Sequence, residues 1–202
     1  MDALAISPST LTSLVIALSF AAGLNVYATV CSLGLMARLH WIVLPGELGV
    51  LADTWIIAVS GTMFVAEFFA DKIPGFDLMW NALHTFIRIP AAALMAYAAS
   101  SHLSPAQQLL VTLLGGAIAA IAHSSKTAAR IAVTPSPEPL SNIGLSSAED
   151  AVAIALTWIA THHPVAAGIT VAGLCLALVA TLRWSYTRIR GGLSRLRRRR
   201  PA

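Results

Sequence analysis

Six apolar stretches, separated by short polar segments, make up almost the whole chain. Ser9 or Thr10 can cap the first, which is predicted as one helix over residues 10–39. At 1.5 Å per residue it is long enough to cross the roughly 30 Å hydrocarbon core of a bilayer. The second predicted span covers residues 50–70 and ends at the polar segment DKIPGFD. The third covers residues 78–100 and contains Pro90, so a kink is expected there.

The second half of the chain repeats this alternation around a long polar stretch at 123–150. A fourth helix is predicted from 106 to beyond Arg130, and a sixth over residues 164–184. Between them lies a fifth, at 148–161, with Ser146 or Ser147 as its cap and acidic residues in its first turn. This helix is short for a span, so five spans plus a re-entrant segment fit nearly as well as six. The proline-rich centre, TPSPEP at 134–139, is predicted to be stiff irregular backbone.

Composition places these helices in a membrane. The chain has 202 residues, 57% of them apolar and 11% charged, whereas soluble domains carry about 25% charged residues. We therefore predict an all-α polytopic membrane helix bundle, forming a single integral membrane domain over residues 1–190. The remaining residues, 191–202, form a basic tail.

Charge is distributed very unevenly along the chain. The formal net charge is +4, but eight of the thirteen basic residues lie at or beyond Arg183. A basic cluster directly after a hydrophobic span is kept on the cytoplasmic side, so the tail predicts a cytoplasmic C-terminus rather than nucleic-acid binding. Six spans would place the N-terminus on the cytoplasmic side as well.

A weak internal repeat relates the two halves, residues 1–100 and 101–190. At an offset of 92 it pairs Gly23 with Gly115 and Arg38 with Arg130. Three spans per half would make the repeat inverted, as in many transporters whose sites lie where broken helices meet near the midplane.

Four predicted helices carry polar side chains on one face, and on two of them the spacing is i, i+3 and i+7. Ionisable groups inside a membrane are costly, so they are expected to face the bundle interior and to converge on one cavity. The four faces consist of Asn25, Thr29 and Ser32 on the first helix, Glu67 and Asp71 on the second, Asn81, His84 and Arg88 on the third, and His123, Lys126 and Arg130 on the fourth.

These residue types suggest a binding site for an anion. Guanidinium groups bind phosphate or carboxylate bidentately, so Arg88 and Arg130 are the main candidates, together with Lys126. His84, His123, Asn25 and Asn81 would complete the substrate site, and Glu67 and Asp71 would couple ion or proton movement. The alternative is that the charged side chains only neutralise one another as structural salt bridges.

The sequence gives little support for catalysis, metal binding or cofactor binding. It has no HExxH, GxSxG or phosphate-binding glycine loop, and Cys31 and Cys175 lie in apolar stretches without metal-ligand spacing. We therefore expect no catalytic residues, no metal and no cofactor.

Two segments together resemble a known family. FVAEFFADKIPGFDLMWNALHTFIRIPAAALMA at 64–96 and HSSKTAARIAVTPSPEPLSN at 123–142 are similar to the bacterial membrane-protein family catalogued as domain of unknown function 4126. The resemblance covers nearly the whole chain. It implies a protein of the bacterial inner membrane and assigns no biochemical role to individual residues.

The leading hypothesis is a small transporter or channel for an anionic solute or a lipid phosphate, coupled to ions or protons. Its expected partners are membrane lipids, that anion and further copies of the chain. A non-transporting scaffold for another membrane complex is the alternative, and an intramembrane enzyme is the third hypothesis.

Overall fold

A computed structural model describes residues 7–73, 75–133 and 139–198, and within these ranges it contains helices and connecting turns but no strands. The fold class is therefore an all-α helical bundle, as predicted. Residues 134–138 of the proline-rich segment and the last four residues of the basic tail lie outside the described residues. The α-helices are α1 (Pro8–Leu24), α2 (Val26–Arg38), α3 (Thr54–Ala70), α4 (Phe76–Ala99), α5 (Pro105–Val133), α6 (Pro139–His162) and α7 (Pro164–Arg198), with a 3-10 helix at Gly46–Ala52.

Length and apolarity identify three described helical segments able to cross a membrane, at Phe76–Ala99, Pro105–Ile131 and Ile143–His162. A fourth candidate is the pair formed by Gly46–Ala52 and Thr54–Ala70, which bends by 71°. The chain is therefore a helical membrane protein, with fewer clear spans than the six expected.

Helix α1 is the central element of the bundle. It packs against α4, α5, α6 and α7, and most of its side chains from Leu11 to Leu24 are buried. A helix that is apolar all round is suited to such a position. Small residues allow close contact with its neighbours: a methyl group added at Gly23 would lie 2.7 Å from the Cβ of Ala122 on α5.

The single predicted helix over residues 10–39 is wrong, because the chain breaks at Asn25. This residue is extended, with φ −150° and ψ 100°, and separates α1 from α2. Its Oδ1 accepts the Ala28 N–H at 2.9 Å, so the side chain caps α2 and replaces the Leu24 carbonyl as the partner of that N–H.

The two helices that meet at Asn25 run in opposing directions. The first turns of α1 pack against the start of α7, where a Cβ on Gly168 would lie 2.6 Å from that of Ser13. Helix α2 returns toward the same end of the bundle, where Arg38 Nη1 donates to the Ala52 carbonyl at 3.3 Å, just before α3 begins. Helices α1 and α2 therefore form a hairpin whose tip is Asn25.

The remaining helices alternate in direction along the chain. Helix α4 is antiparallel to α5, because Thr85 contacts His123 near one end of the pair while Ala96 packs against Gly115 farther along. This path places Ser7 and the C-terminal end of α7 at opposite ends of the bundle. The reversal lies at Asn25, whereas the re-entrant segment considered from the sequence was the fifth helix. The choice between six spans and five spans plus a re-entrant segment therefore stays a prediction.

Two further boundaries differ from the prediction. The second predicted span was too long at its start, because Asp53 caps α3 by accepting the Trp55 N–H at 2.8 Å, and residues 50–52 belong to the 3-10 helix. The fifth helix begins at Pro139 rather than near 148, so Ser146 and Ser147 lie inside α6 and cap nothing. The third helix, α4, runs from Phe76 to Ala99 through Pro90, where the expected kink stays a prediction. Helix α5 continues past Arg130 as predicted.

The inverted repeat stays a prediction. Exchange of the two halves would place α5 in the position of α1 and α4 in the position of α7. The packing agrees with this, because α1 packs against α7 and α5 packs against α4. The break at Asn25, however, has no counterpart in α5, which is continuous from Pro105 to Val133.

Candidate functional site

A buried ion pair joins α3 to α4 at the centre of the site. Arg88 and Glu67 are each 0% exposed, and Arg88 Nη2 donates to Glu67 Oε1. Nη1 of the same guanidinium donates to Asn81 Oδ1 at 3.0 Å and to His123 Nδ1 at 3.1 Å. The Arg88 head group therefore links side chains from three helices.

The two histidines have defined roles in hydrogen bonding. Since Arg88 can only donate, His123 Nδ1 must accept, and the neutral ring then carries its proton on Nε2, which lies 2.7 Å from Thr85 Oγ1. His84 Nδ1 lies 2.7 Å from the Trp80 carbonyl and must donate to it. Nε2 of the neutral His84 ring can then accept from the Tyr27 hydroxyl at 3.1 Å.

Lys126 lies one turn farther along α5 and is 2% exposed. Its Nζ donates to Asp71 Oδ2 at 2.7 Å and to the Leu24 carbonyl at 3.1 Å. Glu67 Oε1 and Glu149 Oε2 each lie 3.5 Å from it. The ammonium is therefore surrounded by oxygens from α1, α6 and the C-terminal end of α3.

Arg130 forms the outermost layer of the cluster. Its Nη2 lies 2.6 Å from Glu149 Oε2 and 3.0 Å from Asp71 Oδ2, and its Nη1 donates to the Asp71 carbonyl at 2.7 Å. Asp77 Oδ2 lies 3.5 Å from the same Nη1. This arginine thus connects the start of α4 to α6.

Asp150 differs from the other acidic residues in the cluster. It is 4% exposed, and Asn25 Nδ2 donates to its Oδ1 at 2.8 Å. Its Oδ2 has no hydrogen-bond partner. Among the acidic residues of the cluster that the structure describes, Asp150 alone forms no ion pair.

The cluster contains more acidic than basic groups. Five buried carboxylates against three buried basic side chains leave an excess of two negative charges when the histidines are neutral. The acidic members are Glu67, Asp71, Asp77, Glu149 and Asp150, and the basic members are Arg88, Lys126 and Arg130.

The cluster extends from one end of the bundle toward its middle. On α4 it runs from Asp77 to Arg88, eleven residues, or about 16 Å along the helix axis. Beyond Arg88 the side chains of α4 that face the core are Ala92, Met95, Ala96 and Ala99. The buried charge therefore reaches about half of the way across a 30 Å hydrocarbon core.

Lys72 lies at the outer end, in the turn between α3 and α4. Its Nζ is 3.1 Å from the centre of the Phe68 ring and donates to the Phe68 carbonyl at 3.1 Å. This partial burial lowers the pKa of Lys72, and the carboxylates of Asp150 and Asp71 oppose the shift.

An open apolar crevice of about 380 Å³ adjoins the inner end of the cluster, between α2, α3 and α4. Tyr27 lines the crevice, and its hydroxyl makes the hydrogen bond to His84. Trp55 and Val59 on α3 line the other side and are 79% and 60% exposed, so the crevice faces the surface that lipid would cover.

The residues selected from the sequence come together in the structure. Ten of the eleven are buried, and the contacts above connect nine of them. From the first polar face only Asn25 takes part, and Ser32 is only partly buried. Their roles in binding or coupling stay predictions. Thr29 bonds only to the Asn25 carbonyl among the contacts described, and Ser32 has no described side-chain contact with the cluster. The buried set is Asn25, Glu67, Asp71, Asn81, His84, Arg88, His123, Lys126 and Arg130.

Sequence reasoning missed three acidic members, Asp77, Glu149 and Asp150. Glu149 and Asp150 were interpreted as the first turn of a helix, because Ser146 and Ser147 precede them as a cap would. The signal that could have identified them is their position inside a helix that extends from Pro139 to His162, where intramembrane acids usually serve a function. Over the described ranges, no group of three or more His, Cys, Asp or Glu side chains is arranged to hold a metal ion.

Comparison with known proteins gives one match. Neither a curated protein nor a solved structure matches the chain. A family model described as "Domain of unknown function (DUF4126)" matches residues 12–184, which include every residue of the buried cluster. The chain therefore belongs to this family.

Proposed function

We propose that this protein is a small membrane transporter that moves protons together with, or in exchange for, another ion, and that the buried charge cluster is its binding site. The observation that carries the proposal is Asp150, a buried carboxylate without an ion pair in a cluster with excess negative charge. An unpaired charge in such surroundings is costly, so a proton or a cation binds there favourably. Reversible binding of this kind is what intramembrane acids supply in transporters.

Glu67 and Asp71, the coupling pair expected from the sequence, suit this role less well. Glu67 pairs with Arg88 and Lys126, and Asp71 pairs with Lys126 and Arg130. A proton that binds either carboxylate must weaken these ion pairs. Asp150 can accept a proton on Oδ2 while its Oδ1 keeps the hydrogen bond to Asn25.

An anionic substrate stays a prediction, and the geometry gives it less support than a cation. Arg88, Lys126 and Arg130 were its expected ligands, and each already contacts at least one carboxylate. An anion would have to displace those carboxylates and would add to the excess of negative charge. Phosphate and sulfate therefore belong in the transport assay as competing candidates.

Proton flux in proteoliposomes tests the proposal. Purified protein is reconstituted with a pH-sensitive dye inside, with Na⁺ and K⁺ on both sides, and a pH gradient is imposed. We expect proton movement above that of protein-free vesicles, and we expect Asp150→Asn to reduce it to that level. Asparagine keeps the size of the side chain and can still bond to Asn25, but it cannot bind a proton at neutral pH.

Glu47→Gln is the matched control, because Glu47 is an exposed acid on the 3-10 helix and should leave flux unchanged. Absence of flux in the wild-type protein, or full flux in Asp150→Asn, would refute the proposal. Absence of flux would instead favour the alternative of a non-transporting scaffold.

A further inference from the structure

The break at Asn25 leaves a backbone carbonyl available inside the bundle. In a continuous helix, the Leu24 carbonyl would accept the Ala28 N–H. The Asn25 side chain takes that N–H instead, and the Leu24 carbonyl accepts from Lys126 Nζ at 3.1 Å. Carbonyls freed at such breaks are typical ligands for cations in membrane transporters.

Around the Lys126 ammonium, this carbonyl is joined by three carboxylate oxygens from two other parts of the chain. They belong to Asp71 at 2.7 Å and to Glu67 and Glu149 at 3.5 Å each. We call these three carboxylate oxygens and the Leu24 carbonyl oxygen the oxygen cage. All four are acceptors, so the cage suits a cation that donates hydrogen bonds.

Two buried carboxylate oxygens near the cage have no donor. They are Glu67 Oε2 and Asp150 Oδ2, on side chains that are 0% and 4% exposed. An ammonium has only three hydrogens to donate, and those of Lys126 point at most to three partners at a time. The cluster therefore contains more acceptor oxygens than the Lys126 ammonium can satisfy.

We propose that the oxygen cage is a binding site for a free ammonium-type cation, which enters in exchange for the ammonium of Lys126. The proposal rests on the proposed function and names the class of its second ion. The free cation and the Lys126 ammonium compete for the same oxygens, because only one of them can occupy the cage at a time. The oxygen distances of 2.7–3.5 Å around Nζ suit an ion of ammonium size, whereas divalent ions take oxygen ligands at about 2.0–2.6 Å.

Lys126 is suited to such an exchange because its head group ends a flexible four-carbon stem. When the head group leaves the cage, a cation that takes its place keeps the carboxylates compensated. On α5 itself, His123 and Arg130 lie on the same face, and Arg130 keeps its contacts to Asp71 and Glu149 throughout. The exchange therefore changes one occupant and preserves the surrounding ion pairs.

Lys126→Ala tests the site without measuring transport. The purified variant is heated in detergent with NH₄⁺, methylammonium, K⁺ or Na⁺ as the chloride, and with choline chloride as the reference. We expect a saturable rise in Tm with NH₄⁺ or methylammonium, of roughly 5–10 °C at about 100 times the dissociation constant. A rise with K⁺ or Na⁺ but not with either ammonium ion would overturn the proposal. Choline, which is too large for the cage, should have no effect.

Lys72→Ala is the matched control, since Lys72 lies at the end of the same cluster but contacts Phe68 rather than the cage. Its Tm should show no cation-specific rise. An equal rise in both variants, or none in Lys126→Ala, would refute the proposal.

Loss of folding in Lys126→Ala is also informative. If the variant is monodisperse when purified in ammonium or methylammonium but aggregates in choline, the free cation has replaced the missing head group. If it aggregates in every salt, no cation fills the cage and the proposal fails. These experiments measure cation binding at equilibrium and do not depend on transport. A variant that binds no cation would refute the cage even if the wild-type protein moves protons, and cation binding would support the cage even if no proton flux is seen.

Discussion

At the scale of single residues, Arg88 and Glu67 neutralise each other in the interior of the bundle. Both side chains are fully buried, and removing one partner of such a pair typically costs about 3–5 kcal/mol, because the other charge loses its main compensation. Without Arg88, the Glu67 carboxylate keeps, among its described contacts, only that to Lys126 at 3.5 Å. We expect Arg88→Met to lower stability by about this amount, measured by denaturant unfolding in detergent. Arg88→Met combined with Glu67→Gln should recover most of the lost stability, since the second substitution removes the negative charge of Glu67.

A second arginine provides the comparison for this prediction. Arg38 is exposed at the end of α2 and donates to one carbonyl, so Arg38→Met should change stability by no more than about 0.5 kcal/mol. Equal effects of the two single substitutions would show that the Arg88 pair is not worth more than a surface contact.

Residue patterns predicted much of this cluster. The i, i+3, i+7 spacing of His123, Lys126 and Arg130 predicted a shared polar face, and the structure confirms that this face meets Glu67 and Asp71. Spacing along one helix does not say which neighbour supplies the counter-charge, because that depends on how the helices pack. For this reason the contact of Arg130 with Glu149 was not foreseen.

At the scale of helices, the break between α1 and α2 shows where pattern-based reasoning failed. Apolar residues continue on both sides of Asn25, no proline marks the boundary, and the nearby Gly23 lies within α1. The break depends on two bonds of one side chain, to the Ala28 N–H and to Asp150 on α6. The second of these links residues 125 positions apart, so a reading of the local sequence could not detect it.

Close packing of α1 against α5 gives a prediction at this scale. A Cβ at Gly23 would lie 2.5 Å from the Ala119 carbonyl oxygen, so Gly23→Ala must push the two helices apart. We expect a loss of stability of about 1–3 kcal/mol, as for other overpacked interiors, measured as a lower denaturation midpoint in detergent.

Gly173→Ala on α7 is the matched substitution, because no atom lies within 4 Å of the added methyl group. It should be neutral or stabilise the protein by up to about 1 kcal/mol, since alanine favours the helix. If Gly23→Ala also left the stability unchanged or raised it, α1 and α5 would not pack as closely as described.

At the scale of the whole molecule, composition predicted a membrane bundle but could not count its crossings. The difficulty lies in the first two helices, of 17 and 13 residues, whose summed length equals that of one long span. Only their contacts with α3 and α7 show that the chain reverses direction. The sequence therefore allowed six spans and a re-entrant alternative without deciding between them.

Labelling of single cysteines distinguishes these two topologies. In a background of Cys31→Ala and Cys175→Ala, we expect an impermeant maleimide to label Ser9→Cys and His102→Cys in intact cells. Ile73→Cys should react only after permeabilisation.

The physical reason is that basic residues next to membrane spans are retained in the cytoplasm, so we expect Lys72 and the residues from Arg183 onward on that side. The hairpin places Ser9 at the opposite end, near the turn that contains His102. Protection of Ser9→Cys together with labelling of His102→Cys would instead support six spans with a cytoplasmic N-terminus.

The confinement of buried charge to about half of the bundle has an electrical consequence. Polar groups that can reorient screen a field, whereas the apolar side chains that α4 buries beyond Arg88, Ala92, Met95, Ala96 and Ala99, cannot. A transmembrane voltage would therefore fall mostly across that thin apolar layer. An ion that crosses it would pass through nearly the full potential over a short distance, at about 2.3 kcal/mol per elementary charge for each 100 mV.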